Sequence, residues 1–171
     1  MSSRDLNLAH PQLKDFAIKL IEKAKNELGL KVIVTSVARQ YEEQVALYAQ
    51  GRQKLEEVNL LRKVAKMSPI TQKENKVVTW TLASKHIIRL TDDDPTNDLS
   101  RAIDFGILDK NGKYMGDEKA DTNGDNKSDY IQLGFLGNKI AKELGYPILW
   151  GGDFKTKKDY PHFEIIHHVG V

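Results

Sequence analysis

The sequence predicts an α+β domain in which a small antiparallel sheet is flanked by helices. Helical patterns dominate the first 65 residues and strand-like runs dominate the rest, so the two do not alternate as in a doubly wound fold. A length of 171 residues suits one domain with its own core, and we expect residues 1–171 to form a single domain without a second module. Apolar residues make up 40% and charged residues 29%, which is typical of a globular protein in water.

Four helices are predicted from apolar residues that recur at helical spacing. They cover residues 13–28, about 41–50, 55–65 and 131–144. Gly29, Gly51 and Gly145 stand directly after three of them, where glycine commonly ends a helix, and Pro69 follows the remaining one.

Five short runs rich in β-branched and aromatic residues predict strands. They cover residues 31–37, 76–82, 102–108, 147–150 and 162–166. After the third run, Asp109-Lys110-Asn111-Gly112 predicts a hairpin turn, because Asn-Gly accepts the positive φ angles of such turns. Residues 87–100 and 116–129 are polar and predict loops. We interpret Trp80 and Trp150 as core or groove-wall residues rather than as stacking platforms for nucleic acid.

Charge and composition narrow the classes of partner. The formal net charge of +2 is too small to indicate nucleic-acid binding, although it is compatible with an anionic polymer such as a cell wall. With no cysteine, the chain forms no disulfide, and any zinc must be held by nitrogen and oxygen. The N-terminal residues lack the apolar run of a signal peptide and no segment is long enough to span a membrane, so we expect the protein to be made and first held in the cytoplasm.

Two histidines and an aspartate are candidate metal ligands. His162 lies in an apolar extended run, His86 follows a predicted strand, and Asp104 stands between two apolar residues, where an unpaired charge would be unfavourable. Two histidines and a carboxylate hold zinc with a fourth position open for water, whose pKa then falls to about 7. A histidine in an apolar strand is more often a packing or capping residue than a ligand, so none of these residues alone is sufficient evidence for a metal site. Asp159, three residues before His162, can face the same water and exchange a proton with it.

Several segments together resemble a known family. They are Ser84-Lys85-His86, Ser100-Arg101-Ala102-Ile103-Asp104-Phe105, and Trp150-Gly151-Gly152-Asp153-Phe154 with Asp159-Tyr160-Pro161-His162-Phe163-Glu164. These segments are similar to the zinc D-alanyl-D-alanine carboxypeptidases and the phage L-alanyl-D-glutamate endopeptidases. The similarity extends back through Ser36–Arg39, Glu42–Gln44 and residues 50–52, so it covers roughly residues 6–166.

The resemblance implies roles for individual residues. His86, Asp104 and His162 would bind Zn²⁺, and Asp159 would be the catalytic acid and base. Arg39 would bind the substrate and stabilise the oxyanion that develops on the scissile carbonyl. A surface salt bridge is the alternative interpretation of Arg39. The implied fold is the zinc peptidase fold that hedgehog signalling domains resemble. We also expect Glu164, directly after Phe163, to orient a metal ligand.

One departure from the family pattern leaves a rival ligand. The family usually has Ser-x-His-x-x-Gly-x-Ala-x-Asp, with the aspartate seven residues after the histidine. Here Asp93 occupies that spacing from His86, whereas Asp104 lies eighteen residues after it. We favour Asp104, because Arg89 and Thr91 match the pattern poorly while Ala102 to Phe105 match it well. Residues 87–100 would then be a loop insertion beside the site, forming one wall of the substrate groove.

A second metal site is one of two interpretations of an acidic loop. Oxygen donors stand at the spacing of an EF-hand-like calcium loop at Asp121, Asn123, Asp125, Lys127 (through its backbone carbonyl) and Asp129. Asn126 replaces the glycine of position six, and Gln132 replaces the bidentate glutamate of position twelve, which would lower affinity for Ca²⁺. A solvated acidic loop is the alternative interpretation. Some phage relatives use such a loop as a calcium-dependent switch. The resemblance therefore implies that a bound Ca²⁺ would regulate this protein.

The resemblance implies a phage endolysin that cleaves the peptide stems of peptidoglycan, at the L-alanyl-D-glutamate bond. We expect a monomer that acts on peptidoglycan, without nucleic acid or membrane insertion, and that leaves the host cytoplasm by holin-type release. One alternative is a D-alanyl-D-alanine carboxypeptidase or dipeptidase. Another is a non-catalytic zinc-binding module, which would have no need of Asp159. A calcium-binding structural protein would leave His86 and His162 unexplained.

Overall fold

Helices and one antiparallel sheet make up the computed structural model, which describes residues 3–89 and 98–166. The elements are α1 (Pro11–Leu28), β1 (Lys31–Ser36), α2 (Tyr41–Ala49), α3 (Leu55–Val64), β2 (Ala102–Leu108), β3 (Tyr114–Met115), α4 (Asp129–Leu144), β4 (Ile148–Trp150) and β5 (His162–Ile165). The predicted α+β class with a small antiparallel sheet is confirmed. None of the helices in the described part of the chain combines the length and the apolar composition that crossing a membrane requires.

The sheet is built around β2. Its strand order is β1-β2-β5-β4, with β3 paired to the C-terminal end of β2 by the predicted hairpin, where Gly112 has φ +80°. A register shift between Val34 and Ser36 interrupts the pairing of β1 with β2, so that Ser36 rather than its neighbour lies opposite Asp104. On the other side of β2, Asp104 lies opposite His162 of β5. The sheet therefore places an acid and a histidine directly beside each other.

The helix ends follow the signals in the sequence. Gly29 and Gly145 follow α1 and α4 with φ +67° each, the left-handed conformation that closes a helix at little steric cost in glycine. At the other end of α4, the Ser128 hydroxyl accepts a hydrogen bond from the Ile131 amide. This cap starts the helix two residues earlier than the apolar spacing predicted.

The core lies between the sheet and the α1 and α4 helices. Phe16 of α1 packs against Phe105 and Phe163, with ring centroids 6.5 and 5.1 Å away, and these two rings are 5.7 Å from each other. All three rings are fully buried. Because successive side chains of a strand point to opposite faces, burying Phe105 and Phe163 turns Asp104 and His162 to the other face of the sheet.

The predicted strand at residues 76–82 is wrong. The described structure has no strand there, and the segment is held by side chains instead. The Gln44 amide donates to the Thr79 hydroxyl at 3.1 Å, and Arg52 donates to the Thr79 carbonyl at 3.1 Å. The β-branched composition indicated a strand, but these contacts satisfy the polar groups that strand neighbours would otherwise bond. Trp80 is left 58% exposed, as a groove-wall residue, whereas Trp150 is 3% exposed and lies in the core.

Replacing Gly137 of α4 by alanine should destabilise the fold. A Cβ atom at this position would lie 2.4 Å from the buried Phe163 ring. The helix propensity of alanine favours the change by about 1 kcal/mol, but overpacking costs about 1–3 kcal/mol. We expect a net loss in the free energy of unfolding, measured by chemical denaturation. Lys139→Ala, at an exposed position of the same helix, is the control and should change stability by less than about 0.5 kcal/mol. A Gly137→Ala variant as stable as the unmodified protein would contradict this packing.

Candidate functional site

Three side chains predicted as metal ligands converge on one point. The His86 Nε2 atom lies 3.2 Å from Asp104 Oδ1 and 3.4 Å from His162 Nδ1, and His162 Nδ1 lies 2.8 Å from Asp104 Oδ1. Ligands of a tetrahedral zinc ion, with bonds of about 2.0–2.2 Å, are separated by about 3.3 Å. The donor set therefore fits a single zinc ion. Across residues 3–89 and 98–166, no other group of three or more histidines, cysteines or acids brings its donor atoms within 4.8 Å of one another.

His86 is fixed by the segment that follows β1. Its Nδ1 atom lies 2.7 Å from the carbonyl oxygen of Val37, and its own carbonyl accepts a hydrogen bond from the Arg39 amide at 2.9 Å. A carbonyl oxygen only accepts hydrogen bonds, so the proton of the neutral ring resides on Nδ1. The Nε2 lone pair is thereby directed towards Asp104 and His162, as a metal ligand requires.

His162 is fixed by a neighbour on its own strand. Glu164 lies on the same face of β5, and its Oε2 accepts from His162 Nε2 at 3.0 Å. The other oxygen of Glu164 pairs with Lys85 Nζ at 2.8 Å. Carboxylates that accept from the second nitrogen of a histidine orient the ring and strengthen it as a ligand. His162 therefore presents Nδ1 to the shared point, whereas His86 presents Nε2.

The electrostatic interactions among the three residues favour a donor set of one carboxylate anion and two imidazoles. Burial alone would raise the pKa of Asp104, but the two neighbouring imidazoles hold it well below its usual range, so the carboxylate is ionised. Burial would lower the pKa of His162, but hydrogen bonds to Asp104 and Glu164 raise it to about 9. A metal cation would replace the proton that His162 otherwise shares with Asp104. The charge of Asp104 in a buried strand thus has partners, as the sequence required.

Asp159 and Arg39 line the same cleft, which has a volume of about 540 Å³. Although Asp159 is an exposed residue, desolvation of its carboxyl group in the cleft and the nearby carboxylate of Asp104 raise its pKa, which suits a group that takes up and returns a proton. The guanidinium of Arg39 donates to Gln44 Oε1 at 3.0 Å and to Ser36 Oγ at 3.2 Å. Its Nε atom is buried and has no hydrogen-bond partner among the described residues. The structure therefore places Arg39 inside the cleft, rather than in an exposed salt bridge.

Two residues that hold the site together, Gln44 and Lys85, had no role predicted from the sequence, although both stand in segments that resemble the family. Gln44 is fully buried and links Arg39 to the Thr79 hydroxyl, so it joins α2 to one wall of the cleft. Lys85 holds Glu164, which in turn holds His162. No local pattern indicated their partners, because Thr79 lies 35 positions after Gln44 and Glu164 lies 79 positions after Lys85.

The rival ligand Asp93 lies outside the described residues, as does most of the predicted insertion at 87–100. Both ends of that segment are fixed beside the site. Ile87 bridges to Arg39, and the buried Ser100 hydroxyl donates to the Val37 carbonyl that also accepts from His86.

The acidic loop between β3 and α4 is organised by its own hydrogen bonds. Asp121 accepts from the amides of Gly124 and Asn126 at 2.8 and 2.9 Å, and the Gln132 amide donates to Asp125 at 2.7 Å. Asn126 has φ +65°, the left-handed conformation expected at position six of a calcium loop. The carboxylates of Asp121, Asp125 and Asp129 do not form a convergent donor set in the described structure.

Known proteins resemble the chain at the level of sequence and of fold. A family model described as D-alanyl-D-alanine carboxypeptidase matches residues 98–165, which include Asp104, Asp159 and His162 and begin after His86. The peptidoglycan L-alanyl-D-glutamate endopeptidase CwlK of Bacillus subtilis (strain 168) is 32% identical over 157 residues, covering 92% of this chain and 73% of that protein. The crystal structure of the Serratia marcescens L-Ala D-Glu endopeptidase ChiX superimposes with a TM-score of 0.54 at 19% identity, covering 97% of this chain and 89% of the other, and so supports the fold.

Replacing Glu164 by glutamine should weaken zinc binding. The variant keeps the shape of the side chain but removes the charge that orients His162, and the expected loss in zinc affinity is about 10- to 100-fold. The measurement is competition against a chromophoric chelator, which reports on the metal without reference to activity. Glu143→Gln, on the exposed face of α4, is the matched control and should bind zinc normally. Equal affinities in the two variants would contradict the role of Glu164.

Proposed function

Because the chain belongs to the metallopeptidase family of D-alanyl-D-alanine carboxypeptidases and L-alanyl-D-glutamate endopeptidases, we propose that it is a zinc-dependent enzyme that hydrolyses the L-alanyl-D-glutamate bond of peptidoglycan stem peptides. One observation carries the proposal. Donor atoms of His86, Asp104 and His162 lie within 3.4 Å of one another in a cleft that also contains Asp159 and Arg39. We propose that residues 1–171 form one catalytic domain.

The three converging side chains are the proposed zinc ligands. His86 would bind through Nε2, His162 through Nδ1 and Asp104 through a carboxylate oxygen. Zinc bound there would lower the pKa of a water molecule to about 7 and polarise the scissile carbonyl. The hydrogen bonds from His86 to Val37 and from His162 to Glu164 hold the rings in place before metal binds.

Asp159 and Arg39 would perform the proton transfer and the charge stabilisation. Asp159 would take a proton from the attacking water and return it to the amine of D-glutamate as the peptide bond breaks. The raised pKa of Asp159 favours both halves of this exchange. Arg39, held by Gln44 and Ser36 at the cleft, would bind the substrate and stabilise the oxyanion with its positive charge.

The relatives favour the endopeptidase over its rivals. A protein that is 32% identical over 92% of this chain bears the name of an L-alanyl-D-glutamate endopeptidase. A D-alanyl-D-alanine carboxypeptidase would instead require a pocket for a free C-terminal carboxylate. A non-catalytic zinc module would not place an acid with a raised pKa beside the ligands. Phage origin, holin-type release and a monomeric state stay predictions of the sequence.

Digestion of purified peptidoglycan tests the proposed reaction. Mass spectrometry of the products should reveal peptides with a new N-terminal D-glutamate and stems that end in L-alanine. A chelator should abolish the products, and added zinc should restore them. Release of D-alanine alone would indicate the carboxypeptidase instead, and the absence of any product would refute the proposal.

The variant Asp159→Ala should separate metal binding from catalysis. Because Asp159 is not among the proposed ligands, the variant should bind zinc with normal affinity, whereas hydrolysis should fall by at least about 100-fold. The measurements are metal content and the rate of stem-peptide cleavage. Asp153→Ala, at an exposed position of the same segment outside the cleft, should remain active. A fully active Asp159→Ala variant would show that the catalytic assignment is wrong.

We propose weak regulatory Ca²⁺ binding at the loop of Asp121, Asn123, Asp125, Lys127 and Asp129. The left-handed Asn126 supports it, whereas the lack of a convergent carboxylate set requires the loop to rearrange around the ion. Isothermal titration calorimetry should reveal binding in the millimolar range. If no heat of binding is detected at millimolar Ca²⁺, the proposed calcium site is refuted and the segment is a solvated acidic loop.

A further inference from the structure

We propose that Lys157, positioned by Trp80, recognises a free carboxylate beside the scissile bond, so that the enzyme selects stems whose D-glutamate α-carboxyl group is not amidated. This inference rests on the proposed function and names its substrate class more narrowly.

Lys157 and Trp80 both line the cleft that contains Asp159 and His162. They belong to two segments far apart in the sequence. The Lys157 ammonium nitrogen is 3.3 Å from the centroid of the Trp80 ring, while the ring remains 58% exposed. The two segments therefore contact each other through a cation–π interaction in the cleft that also contains the proposed catalytic residues.

Among the described residues, the Lys157 ammonium takes part in no ion pair. Asp104 interacts with the two imidazoles, and Glu164 interacts with Lys85 and His162. Asp159 is the remaining carboxylate of the cleft, and its charge interacts with that of Lys157 without an ion pair between the two side chains. A cation–π contact at an exposed site is weak, so an anionic ligand can displace the ring and pair with Lys157.

The proposed substrate supplies such an anion at the right place. In a peptidoglycan stem, D-glutamate is joined to the next residue through its γ-carboxyl group. Its α-carboxyl group stays free or is amidated, and it is attached to the carbon atom that bears the scissile nitrogen. Lys157 stands two residues before Asp159, the proposed donor of a proton to that nitrogen. A carboxylate beside the nitrogen thus lies within reach of the flexible lysine chain.

Trp80 acts as a positioning residue in this arrangement. Its ring holds the Lys157 ammonium in the cleft before substrate binds. When substrate binds, the ammonium leaves the ring and pairs with the substrate carboxylate. An uncharged carboxamide offers no ion pair in return for the lost cation–π contact. The difference between acid and amide therefore depends on the charge of residue 157.

The test compares two synthetic stem peptides, L-Ala-γ-D-Glu-L-Lys and the same peptide with an α-carboxamide. The unmodified enzyme should favour the acid by about fivefold in kcat/KM, the scale of one partly exposed ion pair. Lys157→Met should bring the ratio to about one, and Lys157→Glu should invert it. Lys155→Met is the matched control, because Lys155 is exposed on the same segment but does not line the cleft, and it should keep the ratio of the unmodified enzyme.

The outcomes distinguish this inference from the proposed function. Equal cleavage of acid and amide by the unmodified enzyme, or an unchanged ratio in Lys157→Met, would overturn the inference and leave the endopeptidase intact. Cleavage of neither peptide would overturn both. A third peptide that ends in D-Ala-D-Ala identifies the other source of a carboxylate. If Lys157→Met affects release of its terminal residue alone, Lys157 recognises a C-terminus and the inference is wrong.

Discussion

The direct pairing of Asp104 with His162 across β2 and β5 is the constraint on which the site depends. Antiparallel pairing fixes the distance between the two backbones, and strand alternation sends both side chains to the same face. On the opposite face, Phe105 and Phe163 pack against Phe16 in the centre of the core. Any shift in register would therefore disrupt the core and the donor set together, so the packing that stabilises the fold also fixes the geometry of the proposed ligands.

The third donor reaches this pair through hydrogen bonds rather than through the sheet. His86 lies in a turn, yet its ring donates to the Val37 carbonyl, which also accepts from the buried Ser100. The chain that follows β1 thus organises one side of the cleft, and it continues directly into Arg39. The two histidines present different nitrogens, because one is oriented by a backbone carbonyl and the other by Glu164. Each ring is held by a contact specific to its own location.

The elements and the residues of the candidate site were largely predictable, because both follow local rules. Glycines marked helix ends, Asn111-Gly112 marked the hairpin, and Asp104 in an apolar strand required a partner. The same rules wrongly predicted a strand at residues 76–82, because the side chains of Gln44 and Arg52 satisfy the polar groups of that segment. Contacts such as Lys85 with Glu164 and Lys157 with Trp80 join residues about 80 positions apart, and no local pattern encodes them.

X-ray absorption spectroscopy at the zinc edge tests most directly whether the three side chains hold one metal ion. Protein loaded with one equivalent of zinc should give a first shell of nitrogen and oxygen donors that includes two imidazoles, at about 2.0–2.2 Å. His162→Ala should reduce the imidazole count to one. A first shell with fewer than two imidazoles in the unmodified protein, or active protein that contains no divalent metal, would contradict the account.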